Sequence, residues 1–183
     1  MESMNSTETI AELNITKMYC SDQMKAVASK RLMWAPGYPS CYTRFAARKL
    51  KDYFYLWTLA FLEHPDNFSK EAIAAGDVFR SSLGGLKQEL TLGDYSQWQE
   101  LAHALRKEDM VVIVLDFPCA LFLGIFAAMD NFLTPIYAAS EAKKISKSEF
   151  DDIKNRVEGV LDVFKRSLDE MLHRHQAPER GGK

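Results

Sequence analysis

Two Glu-x-x-His pairs, Glu100-Leu101-Ala102-His103 and Glu170-Met171-Leu172-His173, are the residues whose spacing first suggests chemistry. On a helix that spacing sets a carboxylate and an imidazole on one face, one turn apart, as in di-iron carboxylate bundles. Helical phase counts against it here. The apolar positions around the first pair are Trp98, Leu101, Ala102 and Leu105, so Glu100 and His103 fall on the other side with Lys107. Glu170 and His173 align with Arg166, again opposite the apolar stripe. Bundle ligands must project inward, so both pairs are expected on the surface and no metal or other cofactor is expected. His103 is a poor axial haem ligand for the same reason, with Gln99, Glu100, Arg106 and Lys107 around it.

Nucleophilic chemistry fares no better. Cys119 lies in Phe117-Pro118-Cys119-Ala120, near an expected helix start where a thiolate would be stabilised. Its apolar neighbours disfavour the thiolate, so a buried, inert thiol is expected. The chain has no Gly-rich phosphate loop, no serine elbow and no inward pair of carboxylates. A non-catalytic protein is the expectation.

Charge offers a binding feature instead. Between Asp22 and Asp52 there is no acid, while Lys25, Lys30, Arg31, Arg44, Arg48, Lys49 and Lys51 are basic. Arg44, Arg48 and Lys51 share a helical face and could meet an anion, a nucleic acid or an acidic partner. The alternative is a solvated face balanced by Asp151, Asp152, Glu158 and Asp162 of the last helix. A net charge of −2 argues against a wholesale polyanion binder.

The elements that would position these residues are helical. The 183 residues, 47% hydrophobic and 26% charged, fit one soluble domain, with residues 1–6 and 176–183 loose at its ends. No basic start followed by an apolar run marks a secretory signal, and three widely spaced cysteines (Cys20, Cys41, Cys119) suit a reducing compartment. A cytoplasmic protein is expected.

Six helices are expected: Thr7 to Met33, Ser40 to Glu63, a third from Ser69, Asp94 to Lys107, an apolar segment from Met110 to Ala139, and a last one opened by the capping box Ser146/Glu149. Trp34-Ala35-Pro36-Gly37-Tyr38-Pro39 separates the first two. Gly84-Gly85 predicts a bend or close packing in the third. The last carries Phe150, Ile153, Val157, Val160, Leu161, Phe164, Leu168 and Leu172 on one face. Val111 to Leu115 is β-branched enough to be a strand, but no pairing partner is evident. The class is therefore all-α, a bundle around an apolar central helix. In helix order alone, with no supporting motif, it is globin-like.

The central segment is long enough to span a membrane, and 110–139 could insert as a hairpin. Asp116, Pro118 and Asp130 interrupt or bound it, and no basic cluster flanks it, which favours a buried core helix. As a core helix it could line a cavity for an apolar ligand such as a fatty acid, with Trp57, Phe61, Phe117, Phe122, Phe126 and Phe132 as walls. The leading expectation is a regulatory or sensory domain, a homodimer, that binds an apolar small molecule or a protein partner. The alternatives are membrane insertion and anion or nucleic-acid binding through the basic 25–51 segment.

Overall fold

The computed structural model describes residues 35–37, 39–63, 65–90, 95–110, 112–114 and 117–176. The expected helix from Thr7 to Met33 lies outside them. The fold is all-α, with five helices among the described residues: α1 Arg44–Glu63, α2 Pro65–Glu89, α3 Tyr95–Ala102, α4 Phe117–Glu141 and α5 Lys147–Gln176. The apolar α4 is the hub, packing against each of the other four. Its inward side chains Phe122, Ile125, Phe126, Met129, Leu133 and Ile136 are fully buried. Recurrence at three and four residues puts them on one broad face, which a helix surrounded by neighbours requires.

Two short strand pairs depart from the expected all-helix layout. β1 (Ala35–Gly37) pairs antiparallel with β4 (Val112–Val114), and β2 (Ser40–Cys41) pairs with β3 (Glu108–Asp109). Between them the Met110 N–H donates to the Pro39 carbonyl at 2.9 Å. Both pairs keep one register, so they form a single ribbon tying the approach to α1 to the approach to α4. Val112–Val114 thus finds its partner in the Pro-rich stretch read as a turn. Proline is tolerated there because each strand of a two-stranded ribbon has a free edge. As a consequence, α1 starts at Arg44 rather than Ser40, and the apolar helix starts at Phe117 rather than Met110.

Other boundaries move for local reasons. α2 begins at Pro65 rather than Ser69, since proline suits the first helical position. α3 stops at Ala102 rather than Lys107 because its last turns tighten: His103, Ala104 and Leu105 donate to carbonyls three residues back. α4 runs through Pro135 and ends at Glu141 rather than Ala139. Beside the proline, the Thr134 hydroxyl donates to the Asp130 carbonyl at 2.6 Å.

The capping box at the start of α5 forms as expected. The Ser146 N–H donates to Glu149 Oε2 at 2.7 Å, and the Glu149 N–H donates to Ser146 Oγ at 3.2 Å. The backbone bond from Ser146 holds the Glu149 carboxyl below its ordinary value. The buried stripe of α5 ends on Met171, with Leu172 half-exposed. At Gly84 and Gly85 a Cβ would meet nothing within 4 Å, so the expected close packing is absent there. Close packing occurs at Gly76, where a Cβ would lie 3.1 Å from Leu121 of α4.

The end of α4 closes on Lys143, whose φ of 55° lies in the left-handed region. The Lys144 N–H donates to the Ala139 carbonyl at 2.8 Å, giving the Schellman form of C-cap that glycine normally supplies. Replacing Lys143 with Gly removes the Cβ strain. The variant should be more stable than wild type by about 0.5–1 kcal/mol in urea denaturation.

Candidate functional site

Of the six aromatic residues expected to line a cavity, Trp57, Phe122 and Phe126 pack ring on ring. Trp57 stacks on Phe126 with ring centroids 5.4 Å apart, tilts against Phe122 at 5.4 Å and meets Phe164 edge-on at 5.3 Å. The space between these rings is filled by the rings themselves. Phe132 is buried in the same core. The side chains of Phe61 and Phe117 lie outside the described ones. Periodicity found the core correctly but could not distinguish packed rings from separated ones.

Buried polar groups are turned to structure. Asp130, on the hub helix, is the one buried carboxylate among the described residues. Its Oδ2 accepts the Tyr42 N–H at 2.8 Å. Its Oδ1 accepts the Thr43 N–H at 2.9 Å and the Thr43 hydroxyl at 2.7 Å. Thr43 Oγ1 in turn accepts the Ala46 N–H at 3.2 Å, capping the first turn of α1. Burial pushes the Asp130 carboxyl up, and the three donated bonds oppose that push. Thr58 donates to the Phe54 carbonyl at 2.7 Å and accepts the Cys119 thiol at 3.7 Å. Burial, reinforced by Asp130 and Glu108, pushes the Cys41 thiol up to about 12.

The basic trio divides. Arg44 and Arg48 are exposed and line an open groove of about 660 Å³ between α1 and α5. Its walls include Phe45, Tyr53, Tyr137 and Phe150, and its lining has four bases (Arg44, Arg48, Lys49, Lys154) against two acids (Asp52, Glu158). Lys51 turns instead toward β3, where its Nζ lies 2.7 Å from Glu108. The acids of α5 take up other cations: Glu158 pairs with Lys49, Asp151 with Lys154 at 2.7 Å, and Asp162 with Lys165 at 3.6 Å. Among the described residues Arg48 forms an ion pair with Asp52 alone, at 3.9 Å. Among the described residues no carboxylate forms an ion pair with Arg44.

Aromatic faces complete the groove. Lys49 Nζ lies 5.4 Å from the Phe45 ring centre, and Lys165 Nζ lies 4.5 Å from that of Tyr53. Tyr137 and Phe150 pack 5.7 Å apart across the joint between α4 and α5. Burial pushes the Tyr137 hydroxyl up, as does Glu141, while Arg44 pulls it down. The helix spacing of Arg44 and Arg48 was visible in the sequence. Tyr137 and Phe150 were not associated with them, since they come from two other helices.

Glu100, His103, Glu170 and His173 all stand on the surface. Among the described residues no three His, Cys, Asp or Glu side chains come together as metal ligands would. No protein-family model matches the chain, and no curated protein or solved structure shows significant similarity to it.

Two measurements check this account. Asp130→Asn keeps one acceptor and sets an amide against a donor, so it should lower unfolding stability by about 1–3 kcal/mol in urea titration. Because the Cys41 thiol is buried and its pKa is raised to about 12, it holds almost no thiolate at pH 8. In mass-mapped iodoacetamide labelling, Cys41 should resist modification in the folded protein from pH 7 to 9 and react promptly in denaturant.

Proposed function

We propose that this chain is a non-catalytic regulatory domain of the cytoplasm that binds an acidic segment of a protein partner in the α1/α5 groove. The observation that carries it is the pair of exposed arginines, Arg44 and Arg48, set beside four aromatic walls in a groove with twice as many bases as acids. Aromatic and arginine side chains are those that interfaces favour. The chain as a whole is slightly acidic, so this local excess selects the sign of its partner.

Several features weigh against the other functions. The filled ring cluster at Trp57 counts against an internal fatty-acid site. Insertion of α4 is disfavoured because about two thirds of its apolar stretch is buried and Asp130 within it holds α1. Non-catalysis is supported by the use of Asp130, Thr43 and Thr58 in internal hydrogen bonds. The chain is read with this function as a single all-α domain with a globin-like helix order.

The test uses a fluorescent peptide that alternates Glu or Asp with Leu and Phe, followed by anisotropy at low salt. Wild type should bind, and Arg44→Glu with Arg48→Glu should weaken binding by about tenfold or more. Equal binding by the double variant sinks the proposal. Preference for a single-stranded oligonucleotide of the same length would replace it with nucleic-acid recognition.

A further inference from the structure

A second groove runs between α2 and α5, and its occupant is inferred from charge and packing. The two helices are antiparallel: Glu89 near the end of α2 pairs with Arg156 of α5, while Glu71 near the start of α2 meets Arg174 at 2.8 Å. Between these ion pairs lies an apolar groove of about 340 Å³ lined by Ala75, Phe79, Ser82, Leu86, Gly159 and Val160. Val78 and Val163, also in its lining, are 58% and 51% exposed. Only one other large apolar side chain, Leu56, is so exposed among the described residues.

Small residues, Ala75, Ser82 and Gly159, keep this groove shallow-walled. Gly159 lines the groove, and a Cβ there would meet nothing within 4 Å. A glycine inside a helix is less favourable than alanine, so one with no internal packing role suits an external contact. Missing side chains let a further helix approach closely, because interaxial distance follows the size of the residues at the contact.

The rim indicates which helix that is. Among the described residues, Asp77 and Glu89 stand exposed on α2 with Lys70, Arg80 and Lys87, and Glu149, Asp152, Asp162, Asp169 and Glu170 stand exposed on α5 with Lys147, Arg156, Arg166 and Arg174. Both signs occur on each helix, and over the two together the exposed acids and bases are equal, seven of each. A strongly acidic or basic partner gains nothing from such a rim. A two-fold contact requires a patch that complements itself, and a patch with both signs on both helices meets that requirement.

We propose that the occupant is a second copy of this chain. The α2/α5 pairs of two protomers pack face to face as a four-helix bundle, with Val78 and Val163 at its centre. The α1/α5 groove lies on another flank of α5, so dimerisation and partner binding are separate properties.

Sedimentation velocity of the full chain, loaded from micromolar to sub-millimolar, tests the proposal. Wild type should sediment as a dimer, and Val78→Glu with Val163→Glu should weaken association by about a hundredfold while circular dichroism stays helical. Arg44→Glu with Arg48→Glu should remain dimeric. Should the valine variant lose its helicity, Ser82→Arg, at an exposed position in the same groove, gives the same readout in a folded chain. Wild type that stays monomeric throughout, or a dimer indifferent to these groove substitutions, overturns the proposal.

Discussion

The bracket between Asp130 and the start of α1 is the interaction on which the rest of the structure depends. A carboxylate inside a core is costly unless hydrogen bonds replace its water. Here Tyr42 and Thr43 supply three donors. They stand at the N-terminus of α1, where unpaired N–H groups and the helix dipole favour negative charge. One contact therefore satisfies a buried charge on the hub and caps a helix more than eighty residues away in sequence. It also sets the position of α1 along α4, which brings Trp57 onto Phe122 and Phe126 three to four turns further on.

The ribbon acts on the same joint from outside. Ser40–Cys41 pairs with Glu108–Asp109 immediately before Tyr42, so the chain reaches Asp130 already held on one side. Lys51 reinforces that edge through Glu108. Burial and nearby acids keep Cys41 a thiol within it, so the joint contains no readily ionised nucleophile. Hub, cap and ribbon together make the start of α1 a rigid corner, and Arg44 projects from its first turn.

What could be read from the sequence divides along local and distant interactions. The last helix was legible because Ser146, Glu149 and the stripe from Ile153 to Leu168 are all signals within one element. The hub was legible because its apolar run has no competing period. Asp130 looked like a bounding charge, since its donors are distant in the chain and nothing local announces them. Val112–Val114 looked unpaired because its partner contains Pro36 and Gly37, residues that mark turns when read alone. Spacing grouped Arg44, Arg48 and Lys51 on one helical face, whereas Lys51 lies against Glu108. Helical phase places Lys51 nearby, and only the ribbon shows that Glu108 draws it away. Aromatic spacing found the core without showing whether its rings touch.

The two proposed surfaces share one cause in the geometry of α5. Its inward stripe, Ile153 to Met171, is committed to the core. On one flank Glu158 pairs with Lys49 of α1, and Arg44 and Arg48 stand exposed beside the seam with Arg44 in no ion pair among the described residues. On the other flank Gly159 and Val163 meet α2, where ion pairs close the groove only at its ends. A thirty-residue helix that packs on several neighbours cannot fill every seam beside it. Where a seam carries unbalanced charge, it selects a partner of opposite sign. Where its charge is balanced and its side chains are small, it suits a copy of itself. The same helix therefore separates two kinds of recognition by composition alone, without any movement of the hub.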